Sequence, residues 1–408
     1  MIFGLQAELK LQEKGVLMKR EIIENAIHLR KMLHAIPETA FSEKKTKKML
    51  IDSLKRLDGI EIHDCGEWFY AVYMGSSEAP MIAFRADMDA VAGEDGLPGH
   101  FCGHDGHAAV LAAFAEYLSE WRPERSVCMI FQPAEEIGKG ALLCREVLKK
   151  YEISEIYGFH NIPGYPVDTV VLCPGTFACA STGMEITVVG SPSHAAYPED
   201  GKNPADVIAE LIMECESLKK GGRQKSGRVG KKETEDCEPE AENVRNGEQK
   251  NKRYEGLTLV TVIGAEIGSD AYGVSASKGV LRLTVRGEYG HEFRELVHTV
   301  SAKAEKLSAV QGMNCYVRLI DEFPATENTA ANVMRVENAA ERAGLAVLYR
   351  SEPFRWSEDF GYYLQELPGA YFGVGAGEKH SQLHTRNYEF PDEIMEGVLK
   401  LYEQLVVR

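Results

Sequence analysis

Short apolar runs alternating with helix-like segments constrain this chain more than any other feature. FYAVYM (69–74), MIAF (81–84), VCMIF (127–131) and EIYGF (155–159) suit buried strands and are too short for helices. Helical patterns at 106–120 and 139–150 fall between some of them. Before them, Ile22, Ile23, Ala26, Leu29, Met32 and Leu33 recur at helical spacing. IPE (36–38) interrupts that helix, and a second restarts near Glu43. Alternation of this kind predicts an α/β fold with a mostly parallel sheet and helices on both faces.

From about residue 180 the order changes. GMEITVVG (183–190) reads as a strand, NPADVIAELIMECESL (203–218) as a helix, and LTLVTVIGAEIG (257–268) and GVLRLTVRGEY (279–289) as strands. A helix over 291–310 and the strand NCYVRLI (314–320) complete a β-α-β-β-α-β order. That order predicts a small ferredoxin-like α+β unit. We therefore expect residues 179–320 to be inserted into a discontinuous first domain, 1–178 plus 321–408.

Within the insert, residues 219–232 carry seven Lys/Arg and no acid, and 233–242 carry six Asp/Glu and no base. Without apolar periodicity, about 219–255 reads as a disordered charged surface loop. The net charge of −16 argues against nucleic acid as a partner. No apolar run reaches the ~18 residues of a membrane helix. The charged first seventeen residues argue against a signal peptide, and Met18 is an alternative start. Nine scattered cysteines fit free thiols in a reducing cytoplasm better than a disulfide framework.

Chemistry concentrates in HFCGHDGH (100–107). Thiolate, imidazole and carboxylate within eight residues form a donor set for transition metals. A redox cysteine among solvated histidines is the alternative from this segment alone. Further polar groups follow strands. RADMD (85–89) follows MIAF, PAEE (133–136) follows VCMIFQ, and His160 follows EIYGF. Sites in open α/β sheets form beyond the carboxyl ends of strands. Adjacent Glu135 and Glu136 can divide amide hydrolysis between them: one ligates a metal, the other moves the proton of the attacking water to the leaving nitrogen.

RADMDA (85–90), HFCGHDGH (100–107), FQPAEE (131–136), GFHNIP (158–163), SHAAYP (193–198), SEDFGYY (357–363) and LHTRNYEF (383–390) occur in that order. Together they resemble the di-metal amidohydrolase branch of the aminoacylase/carboxypeptidase G family, which includes hippurate hydrolases and indoleacetyl-amino acid hydrolases. The resemblance spans about residues 30–400. It implies a zinc-exopeptidase-like α/β domain with an inserted lid or dimerisation domain. It implies two divalent ions per chain, manganese or zinc with cobalt or nickel as further options, held by Cys102, His104, Glu136, His160 and His384. Glu135 becomes the general base and acid, and His194 a stabiliser of the oxyanion, supplied within the chain or across a dimer. Asp87 and Asp89 would orient ligating imidazoles. Arg286 and Asn328 would hold the substrate carboxylate. Asp105 and His107 would serve to start the helix after the ligand loop.

The expected activity is removal of an acyl group from an N-acyl amino acid or a similar small amide, by a cytoplasmic homodimer. A dipeptidase or aminobenzoyl-glutamate hydrolase is the alternative enzyme, and a non-catalytic amino-acid or metal-binding protein the alternative class. The chain departs from the family pattern at RADMDAVAG, in the short stretch between Asp89 and Cys102, and at Gly273-Val274-Ser275-Ala276, where relatives carry Asn-Val-Ile-Pro. These departures bear on the substrate, not on the metal chemistry.

Overall fold

The computed structural model describes residues 19–93, 95–218 and 254–407. The charged loop expected at 219–255 and the N-terminal seventeen residues lie outside them, apart from 254 and 255. The chain divides into two compact units, residues 1–180 with 321–408, and residues 181–320.

The first unit opens with α1 (Arg20–His34) and α2 (Lys44–Leu54). α1 buries Ile22, Ala26, Leu29 and Leu33, one stripe of a 3.6-residue period. The strands are β1 (Ile60–Asp64), β2 (Phe69–Tyr73), β3 (Met81–Asp87), then α3 (His104–Trp121), β4 (Val127–Gln132), β5 (Ile153–Pro163) and β6 (Val170–Leu172). β2, β3 and β4 are buried at every position, as their continuous apolar sequences require.

The second unit runs β7 (Ala180–Val189), α4 (Ala205–Leu218), β8 (Thr258–Ile267), β9 (Lys278–Gly287), α5 (Gly290–Val310) and β10 (Asn314–Phe323). Its strands lie in the order β8-β9-β7-β10, the neighbour order of a split β-α-β sheet. β8 and β9 pair antiparallel. The chain then returns to the first unit with α6 (Ala330–Arg342), β11 (Val347–Tyr349), β12 (Gly369–Gly377) and α7 (Met395–Val406).

The first unit's sheet has eight strands in the order β1-β2-β4-β3-β5-β12-β6-β11. Its centre, β4-β3-β5-β12, is parallel. β1 and β2 add an antiparallel margin on one side, and β6 runs antiparallel to β12 on the other. The sheet is therefore mixed, with the expected parallel core. One face is covered by α1, α2, α3, α6 and α7. Among the described residues the other carries short helical pieces, among them Gly140–Cys144, Arg145–Lys149 and Gly361–Leu364. The helix expected over 139–150 is thus an α-turn followed by a 3-10 segment. Among the described residues no helix is long and apolar enough to cross a membrane.

α3 lies deepest, buried on nearly every side. Gly106 lets it approach the C-terminal loop, because a Cβ there would fall 2.1 Å from the Phe390 ring. Phe114 on α3 meets Phe84 of β3 and Tyr402 of α7 with ring centroids 5.2 and 5.3 Å apart. Phe114→Ala should cost about 3–5 kcal/mol in chemical denaturation, the usual cost of emptying an aromatic core site. Met213→Ala, at a position 70% exposed, should change stability by less than about 0.5 kcal/mol. Equal effects of the two would contradict this packing.

Candidate metal centre

The parallel strands deliver their carboxyl ends to one rim. β3 ends at Asp87, with Asp89 two residues on. β4 ends at Gln132, and the chain turns through Ala134 at φ 53° before presenting Glu135 and Glu136. β5 carries His160 near its end. The loop 100–103 ends at Gly103, φ 93°, and α3 then begins with His104. Gly103 accepts that conformation freely, and a Cβ there would sit 2.8 Å from the Asn161 amide oxygen. His384, in the loop after β12, is itself at φ 61°. Left-handed Ala134 and His384 are strained positions held by their surroundings, a common feature of functional sites.

The five expected ligands come together. Cys102 Sγ lies 3.3 Å from His160 Nε2. Glu136 Oε1 lies 3.7 Å from His104 Nε2 and 3.7 Å from His384 Nε2. The ligand atoms of Cys102, His104 and His160 fall within 4.8 Å of one another, as do those of Cys102, Glu136 and His384. Two ring orientations are fixed from behind. His104 Nδ1 faces the Asp89 main-chain oxygen at 3.0 Å, and His160 Nδ1 faces the Asn161 main-chain oxygen at 2.9 Å. Each carbonyl takes an N–H, so each Nε2 faces the cluster and, once deprotonated, can offer a lone pair to a metal. His104 Nε2 and Glu136 Oε1 are buried without a hydrogen-bond partner. Orphaned donors and acceptors of this kind are costly in a protein interior. A soft thiolate, three imidazoles and a carboxylate converging on one space fit divalent metal ions.

The electrostatics of the metal-free cluster agree. Burial pushes Cys102 up to about 12 and Glu136 up to about 7. Burial also raises Glu135 well above the carboxylate range, with Glu358, Glu136 and Asp359 adding to it. His104 rises well above its ordinary value although burial opposes it, because Asp87 and Cys102 outweigh that penalty. His160 falls well below, through burial and then the charges of His107 and His104. Without a cation, the negative groups crowd together and hold protons.

Beneath the cluster lies a network with little warning in the sequence. Arg85, 2% exposed, contacts Asp87 Oδ2 at 2.7 Å, Asp359 Oδ1 at 2.7 Å and Glu358 Oε1 at 3.0 Å, and donates to Gln132 Oε1 at 2.8 Å. Tyr371 donates to Glu358 at 2.8 Å. The Asp359 N–H points at Glu135 Oε1, 3.4 Å away. The available signals were Arg85 and Asp87 at the end of an otherwise apolar strand and the acidic pair in SEDFGYY.

Three expectations change. Asp87 does not orient a ligating imidazole. Its Oδ1 binds His107 Nδ1 at 2.6 Å, and His104 Nε2 is 3.7 Å from Oδ2. Asp89 orients His104 chiefly through its main-chain oxygen, while its carboxylate accepts the Glu136 N–H at 3.1 Å. Asn328 is 8% exposed and spends its amide on the main chain of Tyr371, accepting at 2.7 Å and donating at 2.9 Å. It fastens β12 to the segment that carries it. Asp105 and His107 do more than start α3. Asp105 binds His34 at 2.8 Å, and His107 also contacts the Asn161 amide oxygen. His194 and Arg286 belong to the second unit. His194 is exposed, its Nδ1 accepting the Ala196 N–H at 3.1 Å, and Arg286 is half-buried on β9 opposite Leu259.

Known proteins resemble the chain over nearly its whole length. N-acetyldiaminopimelate deacetylase of Leuconostoc mesenteroides is 27% identical over 375 residues, 87% of this chain and 90% of that one. An uncharacterized hydrolase of Staphylococcus haemolyticus is 27% identical over 93% of this chain and 96% of its own. The fold matches the crystal structure of a dinuclear metal-binding peptidase from Bacillus subtilis, with TM-score 0.76, 22% identity and coverage of 95% and 98%. It also matches an aminobenzoyl-glutamate utilization protein from Klebsiella pneumoniae, with TM-score 0.69, 19% identity and coverage of 95% and 96%. The model of peptidase family M20/M25/M40 matches residues 83–408, a span that holds every residue of the cluster, and the chain belongs to that family as a metal-dependent amidohydrolase.

Proposed function

We propose that the protein hydrolyses the amide bond of N-acyl amino acids or similar small peptide-like amides, using two divalent ions held by Cys102, His104, Glu136, His160 and His384. The observation that carries this reading is the division between two neighbouring glutamates. Glu136 turns its unpartnered Oε1 toward His104 and His384. Glu135 turns one oxygen toward the Asp359 N–H and the other to within 4.0 Å of His104 Nε2. The deacetylase relative supports the substrate class. The thiolate of Cys102 favours zinc, while the imidazoles and Glu136 also admit manganese.

When bound, such a metal pair polarises the scissile carbonyl and makes water acidic enough to attack at neutral pH. Glu135 takes the proton of the attacking water and hands it to the leaving nitrogen. Burial and the neighbouring Glu358, Glu136 and Asp359 raise its proton affinity while no cation is near, and bound cations would restore the ionised form that a base needs. His104 and His160 are held in one tautomer by main-chain carbonyls and need no reorganisation. For the second unit we propose that His194 stabilises the oxyanion, within its own chain or across a homodimer, that Arg286 receives the substrate carboxylate, and that the unit carries the homodimer contact. Cys65, Cys102, Cys128, Cys144 and Cys315 carry unbridged thiols, which supports a cytoplasmic setting.

A panel of N-acetyl, N-benzoyl and indoleacetyl amino acids, assayed for free amine with metal-loaded protein, tests the substrate class. No turnover of any member would sink it. Glu135→Gln keeps shape and hydrogen bonding but cannot accept a proton. It should retain metal and KM while kcat falls roughly 10²–10⁴-fold. Glu136→Gln should lose metal instead. An active Glu135→Gln enzyme would overturn the assignment, as would metal loss confined to that variant.

Metal loading should also release protons. At pH 7 the metal-free Cys102 thiol, at about 12, is protonated, and Glu136, at about 7, is partly so. Ligation needs both deprotonated, so at least one proton leaves per chain, and affinity weakens as pH falls. Calorimetry in buffers of different ionisation enthalpy reads the number. Zero release, or affinity independent of pH between 6 and 8, would contradict these ligands.

A further inference from the structure

The turn that presents Glu135 and Glu136 is held by a residue from a distant part of the chain. Glu43 stands at the N-terminal end of α2, where a glutamate would ordinarily cap its own helix or face solvent. It does neither. Its side chain makes no cap for α2, and it is 4% exposed. The capping is done by Glu38, whose Oε2 accepts the N–H groups of Lys45 and Thr46 at 2.8 and 2.9 Å and the Thr46 hydroxyl at 3.1 Å. Glu43 is thereby left to turn inward. Its Oε1 accepts the N–H of Ala134 at 2.8 Å, 91 positions along the chain. Main-chain groups at Glu43 itself and at Phe41 also favour its charged form. Phe41 and Ala134 are both non-glycine residues in the left-handed region, at φ 60° and 53°. The Glu43 carboxylate thus holds the strained Ala134 turn from the start of a distant helix.

We infer that Glu43 is a positioning residue for hydrolysis, fixing the Ala134 turn so that Glu135 and Glu136 point in their separate directions. The inference rests on the roles proposed above for those two glutamates. The rest of the turn is held on other sides. Asp89 takes the Glu136 N–H, and the N–H groups of Lys139 and Gly140 close on the Ala134 carbonyl at 3.3 and 3.2 Å. Gly140 admits that closure, since a Cβ there would lie 1.7 Å from the Pro133 oxygen. On the N–H side of Ala134, Glu43 is the partner. Removing it leaves a buried N–H unpaired at a residue whose backbone is already strained. A buried carboxylate is costly to keep, and burial raises this one to about 7. Asp89 adds to that rise. A general base must be placed within fractions of an ångström, so a loosened turn lowers turnover more than binding.

The test uses the full-length, metal-saturated protein and the best substrate from the acyl-amino acid panel. Glu43→Ala should lower kcat roughly 10–100-fold while KM stays within about 3-fold. Glu43→Asp, one methylene shorter, should fall on the same side, and it carries the test should the alanine variant not fold. Glu43→Gln keeps an oxygen for Ala134 and should hold kcat within about 3-fold of wild type. Glu38→Ala strips the cap from the same helix without touching the turn, so it should lower Tm and leave kcat unchanged. The inference is overturned if Glu43→Asp and Glu43→Ala keep wild-type kcat. It is overturned equally if Glu43→Gln is as slow as they are, or if Glu38→Ala loses as much turnover. An active Glu135→Gln enzyme would remove the underlying reading instead, so the two failures are distinct.

Discussion

A single buried guanidinium underlies the arrangement of the rim. Arg85 emerges from β3 among Asp87, Glu358 and Asp359, with Gln132 closing the fork. Three carboxylates could not be packed together in a protein interior without such a cation, because isolated buried charges are expensive. Arg85 ties β3 to β4 through Gln132 and to the 357–363 segment far along the chain. Asp359 in turn takes the N–H of Ala141 and aims its own N–H at Glu135. The floor beneath Glu135 is therefore a charge balance between distant segments. Truncating Arg85 would leave three acids without their counter-ion under the rim.

Above that floor the chain's own backbone does much of the orienting. Carbonyls at Asp89 and Asn161 hold the histidine rings, and N–H groups at Glu136 and Ala134 are held by Asp89 and Glu43. Strained residues at Ala134 and His384 set the directions of side chains that a relaxed turn would send elsewhere. The resulting cluster is crowded with groups that hold protons when no cation is present. The same crowding makes it a strong competitor for metal once those protons leave.

Much of this was legible in the sequence, for identifiable reasons. Strands such as MIAF and VCMIF are buried on both faces, so they read as unbroken apolar runs. The parallel topology then places strand ends on one side, so the polar residues that follow each run fall on one rim. Short marginal strands escaped. β1 (IEIHD) is exposed on one side, and β6 and β11 span three residues each, too few for periodicity to register. The 139–150 segment keeps helical composition but breaks at Cys144, where tertiary packing overrides propensity. Orientation by main-chain atoms was illegible in principle. Nothing in the residue names says that the carbonyl of Asp89, more than its carboxylate, faces His104, or that Asn328 is consumed by Tyr371. Glu43 was hidden for a similar reason, since a glutamate at a helix start already has an ordinary explanation, and only the coordinates reveal that Glu38 has taken that task.

The central claim is that five side chains from four segments of the chain hold two metal ions. Anomalous diffraction from crystals loaded with zinc or manganese addresses it without assuming any substrate. The account predicts two peaks about 3.5–4 Å apart, both ligated from the set Cys102, His104, Glu136, His160 and His384, with Glu135 ligating neither. A single peak, no peak, or a peak ligated by Glu135 would contradict it.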